Sequence, residues 1–261
     1  KDLNETKKEP KRLNKENNKI KKHKVLKIIG IIVSVILVIL IILGITIYCY
    51  MSSKLNKLNI EHITNDLNEL GISETNANQD SQMSKFRNIA ILGLDSRYDT
   101  YDPDYRTDCI MVASINKETS EVKLFSIYRD TYVQMQLDGE TIFDKINHAY
   151  YNGVENTLKT INENLDLNIT EYVMADFTAI ADLVDSVGGI DIDIDSEEIQ
   201  YINDYIKDVS KVIGRTSTNI SKTGLQHLDG IQAVSYCRIR YTSGLDYKRT
   251  ERMREVLGTG P

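Results

Sequence analysis

Arginine is concentrated near one end of the chain. In S-Y-C-R-I-R-Y-T-S-G-L-D-Y-K-R-T-E-R-M-R, residues 238–254 carry five Arg and one Lys against Asp246 and Glu251, a local charge of +4. A guanidinium meets a phosphate with two parallel N–H donors, and each charge-assisted hydrogen bond contributes about 1.5–3 kcal/mol net. Arg238, Arg240 and Arg249 therefore read as an anion-binding set. Arg238 and Arg240 are two apart, so an extended segment would put both heads on one face, whereas a helix would set them about 200° apart. The β-prone Tyr236, Cys237, Ile239 and Tyr241 favour the strand. Beyond the Gly244 turn, Arg249 and Arg252 stand about one helical turn apart. For Arg252 and Arg254 the competing reading is a salt-bridged surface helix, with Glu251 and Glu255 as their partners.

A second set is acidic. Residues 88–94 (N-I-A-I-L-G-L), 109–115 (C-I-M-V-A-S-I) and 122–127 (V-K-L-F-S-I) are short β-branched runs bounded by turn residues, which predicts three strands. A five-residue turn joins the second to the third, so an up-down meander is the economical topology. Such a meander places Asp95 and Asp108 at the two feet of one loop and returns the third strand to the same rim, beside Arg129 and Asp130. The loop itself adds Arg97 and Arg106. Adjacent carboxylates repel unless a proton or cation sits between them. With oxygen ligands and phosphate nearby, the expected cation is Mg²⁺, or Mn²⁺. The alternative for either acid alone is a turn cap.

Other residues say less. Asp246 would orient an arginine, act as a base or cap the following helix. Lys145 in D-K-I-N-H-A-Y would reach a phosphate or remain solvated. His148 lacks a partner at metal-ligand spacing and reads as a core histidine. Gly188-Gly189 reads as a turn into a strand. Cys109 and Cys237 adjoin site residues, and free buried thiols are favoured over a disulfide.

These clusters need a framework. Helical stretches are expected near 146–151, 156–165 and 179–187, with strands at E-Y-V-M-A-D-F and G-G-I-D-I-D-I-D, giving one α/β or α+β domain with helices covering a sheet. The 261 residues, 41% of them hydrophobic, exclude a disordered polymer, and three Cys exclude a disulfide-framework mini-protein. A net charge of -6 argues against nucleic acid as a partner. The charge is segregated: residues 1–27 hold 11 Lys and Arg against 4 Asp and Glu, a surplus of +7, which leaves -13 on the remainder. Residues 28–53 contain no charge and are almost wholly aliphatic, which predicts a single membrane-spanning helix, about 39 Å long at 1.5 Å per residue. Lys21, Lys22, Lys24 and Lys27 directly precede it, so the positive-inside rule leaves residues 1–27 as a cytoplasmic tail and the bulk of the chain outside. Residues 54–84 read as a stalk and flexible spacer, and residues 85–261 as the extracytoplasmic domain.

The segments N-I-A-I-L-G-L-D-S-R, R-T-D-C-I-M-V-A-S-I-N, S-I-Y-R-D-T-Y-V, K-I-N-H-A-Y, L-V-D-S-V-G-G-I-D-I-D, G-L-Q-H-L-D-G-I-Q-A-V-S-Y-C-R-I-R-Y and D-Y-K-R-T-E-R occur in that order from Phe86 onward. In these the chain resembles the LytR-CpsA-Psr family of envelope phosphotransferases. The resemblance implies an α-β-α sandwich with a long hydrophobic pocket for a polyprenyl tail. It implies that Asp95 and Asp108 are Mg²⁺-associated, that Arg129, Arg238, Arg240 and Arg249 bind pyrophosphate and take part in catalysis, and that Asp246 and Lys145 line the site. The implied activity is transfer of an anionic glycopolymer, such as teichoic acid or capsule, from an undecaprenyl-pyrophosphate carrier to a peptidoglycan hydroxyl. Asp95 or Asp246 would accept the proton. The alternatives are a non-catalytic membrane sensor or attenuator that binds lipid pyrophosphate, and a polyprenyl-pyrophosphate hydrolase. Tyr128, Cys109, Lys248 and Met253 depart from the residues usual in that family, without removing a charged site residue. The family continues past the R-T-E-R helix, so the chain is expected to lack its last helices.

Overall fold

The computed structural model describes residues 33–50, 52, 59, 61–78, 80–94, 107–242 and 245–259. The chain divides into two units, Lys1–His62 and Ile63–Pro261.

In the first unit, helix α1 (Val33–Tyr50) has a mean hydropathy of 2.7, and every one of its residues is exposed. Its 18 residues rise about 27 Å, close to the hydrocarbon thickness of a bilayer. The Thr46 hydroxyl donates back to the carbonyls of Ile42 (2.9 Å) and Leu43 (2.8 Å), so it presents no free donor to an apolar surrounding. By length and composition α1 is long and apolar enough to cross a membrane.

The second unit begins earlier than the sequence suggests. The spacer expected over 54–84 is corrected from Ile63 onward. Leu70 and Ile72 are buried in a core, with Ile63 packed against them. The Asn162 side chain donates to the Leu70 carbonyl at 2.8 Å and thereby seals the entering chain. Two apolar plugs suffice to anchor a stretch otherwise too polar to suggest packing. A short helix, α2 (Glu74–Ala77), capped by Ser73, then leads toward the sheet.

Strands β1 (Phe86–Leu94), β2 (Thr107–Asn116) and β3 (Val122–Ile127) form the expected antiparallel meander, and β6 (Glu171–Ala175) joins β1 in parallel, giving the order β3-β2-β1-β6. Between β3 and β6 come a hairpin, β4 (Tyr132–Leu137) and β5 (Glu140–Lys145), a 3-10 helix (Ile146–Asn152) and α3 (Gly153–Leu165). After β6 follow α4 (Phe177–Ser186), β7 (Ile190–Ile194), α5 (Ser196–Ile213), β8 (Gly224–Leu228), α6 (Gly230–Cys237) and α7 (Leu245–Gly258).

The second unit has two cores, and the four-stranded sheet supplies side chains to one of them. Ala90, Leu92, Ile110 and Val112 pack with Leu158 and Ile161 of α3 and with Ile146 and Ala149. On the other side α4, α5, α6 and the β7–β8 ribbon share Ala181, Val184, Ile192, Ile202, Leu228 and Val234. The architecture is the expected α-β-α sandwich. Its second helical layer is packed at backbone distance: a Cβ on Gly230 would lie 2.1 Å from the Ala181 carbonyl, so α4 and α6 touch there only because position 230 is glycine.

The strand expected around Tyr236–Tyr241 is not one. Helix α6 runs to Cys237, and Arg238 is its C-cap. Asp229 accepts from the Gln232 amide while Gln232 Oε1 accepts from the Asp229 amide, both at 2.9 Å, which is a capping box. All seven residues from Gly230 to Tyr236 are buried, so no amphipathic period shows in the sequence.

Candidate active site

Strands β1 and β2 end side by side. Leu94 pairs with Thr107, after a register shift that follows Gly93, and this brings Asp108 to the rim. Its carboxylate receives arginines from three separate elements. Arg129, just past β3, donates from Nη1 to Oδ1 at 2.7 Å. Arg240, just past α6, donates from Nη2 to Oδ2 at 2.9 Å. Arg249 of α7 places Nη1 3.6 Å from Oδ2 and donates from Nη2 to the Asp108 carbonyl at 3.2 Å. Three guanidinium groups against one carboxylate leave a surplus of two positive charges in a largely buried place.

A ring of weaker pairs surrounds this centre. Arg129 Nε lies 3.4 Å from Asp130, Lys145 Nζ lies 2.8 Å from the same carboxylate, and Arg249 Nε lies 3.4 Å from Asp246. Lys145 thus reaches the rim through Asp130. The Arg249 guanidinium is held below its ordinary pKa, first by burial and then by the charges of Arg240 and Arg129, with Asp108 and Asp246 opposing. Arg129 loses some basicity to burial, but its hydrogen bond to Asp108 and the charges of Asp108, Asp130 and Asp246 outweigh that and raise it. Lys145 donates to Asp130 and, with Arg129, lowers that carboxyl against a smaller opposing effect of burial.

Buried polar atoms are normally hydrogen-bonded. Among the described residues, the buried side-chain atoms without a hydrogen bond are Thr107 Oγ1, Arg129 Nε, Asn147 Oδ1, Asp246 Oδ1 and Arg249 Nε. Arg129, Asp246 and Arg249 belong to the cluster itself, Thr107 precedes Asp108, and the Asn147 amide donates to the Arg129 carbonyl. Four of the five thus lie in or next to the Asp108 cluster.

The rim opens into a cavity of about 330 Å³ between β1–β2 and the helices α4, α6 and α7. Asp108, Arg240 and Arg249 form its charged wall, while Ile91, Phe177, Ile180, Val234, Met253, Val256 and Leu257 supply an apolar lining. Arg238 lines it too, but away from Asp108: its guanidinium sits 4.9 Å from the ring centres of both Phe177 and Tyr205, a cation–π sandwich. A Cβ at Gly93 would fall 2.8 Å from Cys109 Cβ, so glycine leaves room for that thiol. Cys109 and Cys237 are free and line the cavity, and burial pushes the Cys109 thiol up to about 12.

Arg252 is not on a surface helix. It is buried, donating from Nε to Glu198 of α5 (2.8 Å), from Nη2 to Thr242 Oγ1 (2.6 Å) and from Nη1 to the Ile239 carbonyl (3.3 Å). Those contacts bracket Arg240 and tie α7, the carrier of Arg249, to α5. Arg254 donates to Ser126 at 3.1 Å, and Glu255 accepts from the Tyr236 hydroxyl at 2.9 Å. Glu198 was invisible in the sequence, where it reads as a first-turn acid. His148, expected in the core, keeps its side chain 18% exposed and pairs with Asp144 at 2.7 Å. Asp95, Arg97 and Arg106 lie outside the described residues. Asp108 offers the hard carboxylate oxygens that suit Mg²⁺, and among the described residues no three His, Cys, Asp or Glu converge on a common point.

The LytR_cpsA_psr family model matches residues 45–259. A polyisoprenyl-teichoic acid–peptidoglycan teichoic acid transferase TagU of Bacillus cereus is 32% identical over 188 residues, covering 70% of this chain and 55% of its own length. The chain thus spans about half the length of the curated relatives it matches. A solved structure of TagT bound to LIIa-WTA superposes with a TM-score of 0.58 at 26% identity, covering 77% of this chain and 70% of that one. A LytR-CPS2A-psr family protein, YwtF (TagT), with bound octaprenyl pyrophosphate lipid gives 0.55 at 25%, covering 77% and 72%.

Proposed function

Because the chain belongs to the LytR_cpsA_psr family, we propose that it is a membrane-anchored transferase that moves a phospho-glycopolymer from a polyprenyl-pyrophosphate carrier to a peptidoglycan hydroxyl. The observation that carries this reading is the join of two environments: an apolar cavity ends on a carboxylate gripped by three arginines. A polyprenyl pyrophosphate has the same two-part character. Its isoprenoid chain would enter between the sheet and α4, α6 and α7, and its diphosphate would meet Arg129, Arg240 and Arg249.

Phosphoryl transfer needs charge neutralised on the transferring group and on the leaving phosphate. Fixed guanidinium donors in a water-poor site do this without reorganising as charge develops. Arg129 Nε and Arg249 Nε face Asp130 and Asp246 only at 3.4 Å and form no hydrogen bond, so an incoming diphosphate would offer them better acceptors. Asp246, whose Oδ1 lies 3.4 Å from Arg249 Nε without a hydrogen bond, would take the proton of the acceptor hydroxyl; Asp95 is the other candidate. Mg²⁺ or Mn²⁺, held by Asp108 and Asp95, would add charge neutralisation at the phosphates. With α1 in the membrane and the basic residues 1–27 in the cytoplasm, the domain stands outside, beside its lipid-linked donor.

The test is to incubate the full chain in lipid nanodiscs with Mg²⁺, a lipid-pyrophosphoryl oligosaccharide and peptidoglycan fragments. A covalent glycan–peptidoglycan product with release of polyprenyl phosphate is expected. Free phospho-sugar in its place would make the protein a hydrolase, and retained lipid without turnover a sensor.

A further inference from the structure

Two exposed tyrosines stand where the arginine cluster leaves the cavity. The rings of Tyr128 and Tyr247 meet edge to face, centres 4.7 Å apart and planes at 68°, although the side chains are 40% and 69% exposed. Tyr128 directly precedes Arg129, and Tyr247 directly follows Asp246. The pair therefore joins the end of β3 to α7, the two elements that deliver Arg129 and Arg249 to Asp108.

The position has a direction. Asp108, Arg240 and Arg249 line the cavity, but Arg129, bonded to the same carboxylate, does not, and neither do the two tyrosines. The cluster thus runs from the cavity wall outward to the aromatic pair. A pyranose ring presents an apolar C–H face and a rim of hydroxyls. An aromatic face carries negative quadrupole potential and accepts C–H groups, while Asp130, two residues after Tyr128 and paired with Lys145, and Lys248, next to Tyr247 and paired with Glu251, put charged donors and acceptors on the same two segments.

We propose that Tyr128 and Tyr247 form a sugar-binding subsite, a platform for a hexopyranose ring that lies just outside the diphosphate. This rests on the reading above, in which the diphosphate occupies the arginines. The ring is either the first sugar of the donor or a sugar of the peptidoglycan acceptor; the chemistry of stacking is common to both.

Full-length protein in detergent micelles is titrated with three probes: farnesyl pyrophosphate, which bears no sugar; a lipid-pyrophosphoryl N-acetylhexosamine; and a soluble disaccharide-peptide fragment of peptidoglycan. Tyr128→Ala and Tyr247→Ala are expected to weaken a sugar-bearing probe roughly three- to tenfold and to leave farnesyl pyrophosphate unchanged. Tyr128→Phe and Tyr247→Phe keep the rings and should bind like the parent. Weakening confined to the lipid-linked sugar assigns the donor, and weakening confined to the fragment assigns the acceptor. Equal weakening of farnesyl pyrophosphate, or no weakening of any probe, overturns the subsite while leaving the lipid-pyrophosphate reading in place. Failure of the parent protein to bind farnesyl pyrophosphate would overturn that reading and the subsite with it.

Discussion

Two buried ionic groupings use the same chemistry to opposite ends. Arg252 and Glu198 match one cation to one anion, and the other two guanidinium nitrogens donate to Thr242 and Ile239. At Asp108 three guanidinium groups share one carboxylate, and Nε of both Arg129 and Arg249 lacks a hydrogen bond. A balanced, fully bonded pair holds elements in place. At Asp108 the guanidinium groups outnumber the carboxylate and two of their nitrogens meet Asp130 and Asp246 only at 3.4 Å, the looser arrangement that an incoming anion would use under the proposed function. The first grouping fixes the second, because Arg252 anchors both the segment carrying Arg240 and the helix carrying Arg249.

The comparison is broken most directly at Glu198. Glu198→Gln leaves the Arg252 charge buried beside a neutral partner, a change that typically costs about 3–5 kcal/mol. Denaturant unfolding of the unit that begins at Ile63 should show a loss of that size, and the double variant Glu198→Gln, Arg252→Met should recover part of it. An unshifted midpoint would mean that the pair is not scaffold. Arg240→Ala should do the reverse. Its side chain is 38% exposed and Asp108 keeps Arg129, so stability should hardly move, while the transfer rate should fall roughly 10²–10³-fold, about 2.7–4 kcal/mol in the barrier. Transfer at the parent rate would remove Arg240 from the site.

The same contrast explains what could be read from the sequence. The meander, and with it the meeting of Asp108 with Arg129, follows from three β-branched runs and a short turn, all local signals. The rim arginines were legible because charge excess is a property of composition. Helix α6 was not, since burial on every side erases the 3.6-residue period and leaves only β-prone Tyr and Ile in view. Its Asp229 and Gln232 did carry a capping-box signal. The β4–β5 hairpin likewise turns on Asp138-Gly139, both at positive φ, a pairing diagnostic of a hairpin. Glu198 could not be found by any local rule, because its role depends on Arg252, 54 positions away.

A smaller effect concerns the cavity wall. Burial raises the Cys109 pKa to about 12, so at pH 8 the thiol stays neutral, and the thiolate is the reactive form. Alkylation of the native protein by iodoacetamide at pH 8 should run at least roughly a hundredfold slower than in denaturant, where the thiol returns to about 8.5. The linked stability has a definite sign: a raised folded pKa stabilises below the unfolded value and loses that contribution as pH climbs toward about 12. Cys109→Ser should therefore flatten the alkaline limb of a stability profile, and an unchanged limb would place the thiol in water.

The smallest effect is expected at the outer ring, where exposure weakens charge pairing. Lys145 and Arg129 hold the Asp130 carboxyl below its ordinary value, but the side chain is 41% exposed, and pairs this open contribute at most about 1 kcal/mol. A depressed folded pKa stabilises above the unfolded value, near 3.8, and that gain disappears as pH falls through the folded value. Asp130→Asn should thus lower the melting temperature slightly at pH 5–7 and match the parent once the pH is well below 3.8. A large deficit at pH 7, or one that persists in acid, would show Asp130 to be scaffold like Glu198. It would then carry Lys145 into the balanced class and out of the group awaiting a ligand.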